Sequence, residues 1–149
     1  MDEAATLAAI HSLRTNPAYQ AAEVLRRKNA DGARAMASAP DGSQESAAIH
    51  LLISTWETIA LLASGLEKKD KIFEVTPVCH MHRNLKDALT AVSLRHAKLK
   101  DSSAFNIPNA GYGANFSILA GEYDTWLRTS NKSAHYISGA CDGMYACFG

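Results

Sequence analysis

"PVCHMHRNLKDALTAV", residues 77–92, is the stretch whose reading decides the fold. It places Cys79, His80 and His82 within four positions. Wound as a helix, the stretch makes the chain helical almost throughout. Run as a strand, it puts both histidines on one face and opens a metal reading. Thr76 and Pro77 favour the helix, because a capping residue followed by proline at the first helical position loses no hydrogen bond. Val78, Met81, Leu85, Leu89, Val92 and Leu99 then form a stripe at helical spacing, predicting a helix to about Lys100. At that winding His80 and His82 point roughly 200° apart and cannot grip one ion. His80 falls on the wet face beside Asp87, and His82 at the edge of the apolar stripe.

Working outward, the segment before it is the most apolar of the chain. Gln44 to Ser64 predicts a helix in which Ile49, Leu52, Ile53, Trp56, Ala60 and Ala63 form one stripe, with Leu51 and Leu62 nearly opposite. A helix apolar on both sides belongs at the centre of its bundle. Gly65 is the residue type of a left-handed stop, and Leu66 is expected to fold back on Leu61 as in a Schellman cap. His50 and Glu57 interrupt the run, so a membrane span is not expected. Lys69 to Val75 reads as a short helix.

Upstream, Glu3 to Leu13 carries Leu7, Ile10 and Leu13 at helical spacing. Asn16-Pro17 repeats the cap-plus-proline signature for a helix to about Asn29, with Asp31-Gly32 a break or kink and "SAPDGS" a turn. Downstream, a loop over "DSSAFNIPNAGYG" precedes a helix from about Ala114, with Phe116, Leu119, Tyr123, Trp126 and Leu127 on one side. That helix fades near Asn131, with a restart through "SAHYI", and residues 138–149 form an irregular glycine-rich tail. β-strand alternation is nowhere evident. The expectation is an all-α fold, one domain over 1–149, with about five main helices around the central helix at 44–64.

Fifteen basic residues balance fifteen acidic ones. Direct nucleic-acid binding is therefore not expected, since such proteins carry a basic excess or stripe. The basic clusters, Arg26-Arg27-Lys28 and Lys68-Lys69 with Lys71, read as solvated helix ends. Three cysteines and no evident secretory leader fit a reducing cytoplasm.

Candidate chemistry centres on Cys79 and His82, which share a helix face. Two ligands do not close a zinc site, and Cys141 and Cys147, the remaining candidates, are spaced more widely than is usual for zinc. As a catalytic pair, Cys79 near a helix N-terminus gains thiolate character and His82 lies one turn away as base, but no acidic partner is identifiable. His96 sits on the apolar stripe as a hydrogen-bonded core residue. Glu57, close in angle to His50, reads as an acceptor at the bundle edge, with an acid role as its alternative. "NAGYGAN" lacks the residues of a phosphate-binding loop. Tyr112, between two glycines, is instead a candidate partner anchor, together with Arg26, Arg27, Lys28, Lys68 and Lys69.

The segment "IHLLISTWETIALLASGLEKKDKIFEV", residues 49–75, resembles an uncharacterised family of helical bacterial and prophage proteins: an apolar helix with an internal Trp-Glu, a glycine stop and a charged restart. The resemblance implies a helical fold and bacterial or phage provenance, and no catalytic residues.

The resulting expectation is a non-enzymatic protein-interaction module without a cofactor, of the size and class of phage-encoded inhibitors that block bacterial defence complexes such as CRISPR–Cas. The alternatives are a small metalloprotein or cysteine-dependent enzyme using Cys79 and His82, and a homo-oligomeric structural protein.

Overall fold

The structure, a computed structural model, describes residues 2–101 and 113–129, and side chains over 2–92 and 113–129. These residues form an all-α bundle of seven helices: α1 (Glu3–Thr15), α2 (Pro17–Lys28), α3 (Gly32–Ala37), α4 (Gln44–Ser64), α5 (Asp70–Val75), α6 (Val78–Asp101) and α7 (Ala114–Thr129). No strand occurs among the described residues. The stretch that opens at Pro77 is helical, with the Met81 N–H donating to the Pro77 carbonyl.

Short polar side chains set most of the helix starts. Asp2 accepts from the Ala5 N–H, Asn16 from Ala18 ahead of Pro17, and Ser43 from Ser46. Each satisfies a donor that the first turn leaves without an intrahelical partner.

α4 lies at the centre, packing on α1, α2, α3, α6 and α7. Ile49, Leu52, Ile53, Trp56, Ala60 and Ala63 are all buried. By length and composition α4 also qualifies to cross a membrane, but its apolar stripe is covered by the other helices. Trp56 stacks on Phe116 of α7 with ring centroids 5.3 Å apart, while Phe73, Tyr123 and Trp126 close the other end of the core. Full burial of a tryptophan is worth about 3–5 kcal/mol against alanine.

Three local expectations are corrected. The segment after Asp31 is not merely a break: α3 buries Ala33, Met36 and Ala37 against α6 and α4. Six residues are too short for periodicity to declare, and tertiary packing supplies what propensity does not. The second correction concerns the end of α4. Gly65 is right-handed (φ −77°, ψ −5°), and Leu61 stays exposed. The Gly65 and Leu66 N–H groups bond to Leu62 and Ala63 in a tightened last turn, and Leu66 packs directly on the core, so no Schellman contact forms. Third, His80 does not lie on the wet face; it is half-buried against residues of α1 and α2.

Candidate functional site

A polar cluster sits beneath α2. Tyr19, Glu23 and Arg26 follow one another at four- and three-residue steps, so they share one helix face. That face turns inward: Tyr19 and Glu23 are buried, with Glu23 only 4% exposed. The Trp56 indole N–H donates to the Tyr19 hydroxyl (3.0 Å), which donates in turn to Glu23 Oε1 (3.3 Å). Glu23 Oε2 takes Arg26 at 2.8 Å and Arg27 at 3.5 Å. A buried carboxylate needs such partners, because stripped of them it would remain an uncompensated charge.

Burial, and then the negative Glu23, push the Tyr19 phenol up to about 12. It therefore stays a donor at any physiological pH. Arg14 from α1 lies over the Trp56 ring, its guanidinium carbon 6.0 Å from the centroid, a cation–π contact worth about 0.5–2 kcal/mol.

These groups border a cavity of about 380 Å³ whose far wall is Pro77, His80 and Met81 at the start of α6. His80 is held below its ordinary pKa by burial first and then by Arg26, with Arg27 and Arg83 adding to the effect. Its Nε2 faces the Asn84 amide nitrogen at 3.1 Å. Since that nitrogen also donates to the His80 carbonyl (2.9 Å), it is the NH₂ group, Nε2 accepts, and the ring proton resides on Nδ1. Among the described residues, Arg14 Nε, Arg26 Nε and His80 Nδ1 are buried with no hydrogen-bond partner. Each such orphan costs about 1–3 kcal/mol unless something else meets it.

The opposite flank of α2 is apolar. Between α2 and α4 runs an open channel of about 510 Å³. Five alanines floor it (Ala18, Ala21, Ala22, Ala47, Ala48), Val24 and Leu51 edge it, and Lys28 and Gln44 also line it. Val24 is 44% exposed.

The residues singled out from sequence are dispersed. Arg26 and Arg27 border the polar cavity and Lys28 the apolar channel. Lys68 and Lys69 line a third depression, of about 560 Å³, between α5 and α7. There Lys69 is committed to Glu122 at 3.0 Å. Cys79 and His82 are both buried, and His82 meets the Phe116 ring edge-on at 5.3 Å. A thiol 2% exposed packs in the core instead of facing a substrate. No group of three or more metal-binding side chains occurs among the described residues. Tyr112, Cys141, Cys147, the tail over 138–149 and the side chain of His96 lie outside the described residues.

Glu57 accepts from the Phe116 N–H (2.7 Å) and from the Asn115 amide (3.1 Å), which occupies its carboxylate structurally at the start of α7. The neighbouring His50 ring nitrogen bonds to the Ser46 carbonyl. The cluster of Arg14, Tyr19, Glu23 and His80 escaped the sequence reading. The available signal was Tyr19, Glu23 and Arg26 on one face of α2, a carboxylate at core spacing.

Comparison of the chain with protein-family models, with curated proteins and with solved structures finds no match.

Proposed function

We propose that the chain is a non-enzymatic protein-interaction module that seats an amphipathic helix of a partner protein in the channel between α2 and α4. The channel itself carries this reading: an alanine floor admits another helix to within about 8–10 Å, and the exposed Val24 gives it apolar contact. Lys28 at the channel, beside Arg27 with its side chain 67% exposed, favours an occupant with an acidic residue at that end.

The finer form of the proposal is a phage-encoded inhibitor acting in the bacterial cytoplasm on a defence complex of CRISPR–Cas type. Its support is the chain's size, its helical class and the resemblance of residues 49–75 to helical prophage proteins.

A photo-reactive amino acid at position 24, used in the native host, tests the channel. The expected result is an adduct to an acidic amphipathic helix that disappears in Ala21→Arg, whose circular dichroism stays helical. The same adducts from position 61, or adducts that survive Ala21→Arg, would refute the reading. Adducts to a second copy of the chain would replace the partner with a homo-oligomer.

A further inference from the structure

The cavity on the inward side of α2 has its own chemistry, and its reading does not depend on the channel. Three guanidiniums (Arg14, Arg26, Arg27) and one carboxylate (Glu23) line the cavity, which leaves two positive charges with His80 neutral. Glu23 has nothing more to give: one oxygen takes both Arg26 and Arg27, and the other takes Tyr19. Three buried donors on three different helices, Arg14 Nε, Arg26 Nε and the protonated His80 Nδ1, have no acceptor among the described residues.

We propose that this cavity binds a phosphoryl dianion, with Arg14, Arg26 and His80 as its donors. A phosphate carries about −1.5 to −2 charges at neutral pH, which matches the local excess, and its oxygens accept from several directions at once. The donors are fixed beforehand, Arg14 by the Trp56 ring and Arg26 by Glu23, so little side-chain freedom is lost on binding. A cavity of about 380 Å³ holds more than a bare oxyanion, and Pro77 and Met81 offer an apolar wall to an ester substituent. His80 reports on occupancy: its neighbours are Arg14 from α1, Glu23, Arg26 and Arg27 from α2, and Arg83 from α6, and burial with the arginines disfavours its cation. A bound dianion reverses that balance.

The test is calorimetric titration of the full chain with phenyl phosphate, inorganic phosphate and acetate at equal ionic strength near neutral pH. Proton NMR of His80 runs in parallel. Saturable one-to-one binding of a phosphate, weaker binding of acetate and a rise in the His80 pKa on saturation are expected. Phenyl phosphate binding more tightly assigns the site to a phosphate monoester, and inorganic phosphate binding more tightly assigns it to the free ion. Arg14→Met, which keeps a side chain over Trp56, and His80→Gln should each weaken binding roughly tenfold or more, whereas Arg128→Gln on α7 should not. No saturable binding of either phosphate by the folded wild type in the millimolar range would overturn the proposal. So would an unmoved His80 pKa, or equal loss in Arg128→Gln.

Discussion

Tyr19 holds together two groups that would each be costly alone in the interior, the Trp56 indole N–H and the Glu23 carboxylate. Tyr19→Phe keeps the ring and deletes the link, so denaturant unfolding should show a loss of about 1–3 kcal/mol. The pH dependence has a definite sign. The folded pKa of about 12 exceeds the ordinary 10.0, so the contribution is whole below pH 10 and is lost as the pH rises through about 12. Alkaline unfolding of Tyr19→Phe should lack that component. His80 runs the other way: its folded pKa is depressed, so its contribution is present above the ordinary value of 6.5 and is lost as pH falls below it. An acid melt of His80→Gln should be flatter there than that of the wild type. At this scale the core was readable and the cavity was not. Trp56 and its stripe announce themselves by period, whereas Arg14 and His80 line one cavity only because the fold brings α1, α2 and the start of α6 to its edge, a long-range fact that no local pattern encodes.

At the scale of the element, the start of α7 shows how one helix is completed by others. Gly113 precedes it at φ +78°, and a Cβ there would overlap the Leu89 side chain of α6. Glycine admits that close approach but brings no capping side chain. Glu57 of α4 supplies the cap instead, accepting the Phe116 N–H. Gly113→Ala should cost about 1–3 kcal/mol through backbone strain, apart from the overlap. Glu57→Ala should cost about 0.5–2 kcal/mol, the value of a cap. Urea unfolding of the two variants measures both, and values near zero would remove Glu57 and Gly113 from the account of this junction. The start of α2 was legible because its cap, Asn16, lies next to it in sequence. The cap of α7 comes from 59 residues away, and Glu57 was readable only as an acceptor without its donor.

For the molecule as a whole, α4 provides the core and α2 the proposed working surfaces. The division follows from composition: α4 buries most of its apolar residues, whereas α2 carries alanines, a buried carboxylate and, in its last turn, three cations. The all-α bundle around residues 44–64 was legible because a long apolar helix has to be covered. The channel was not, because alanines on α2 and α4 read simply as good helix formers until the two helices are seen side by side. Hydrogen exchange of the protein with and without its captured partner tests the central claim most directly. The account predicts added protection over residues 17–28 and the first half of 44–64; protection confined to 70–75 and 114–129 would contradict it.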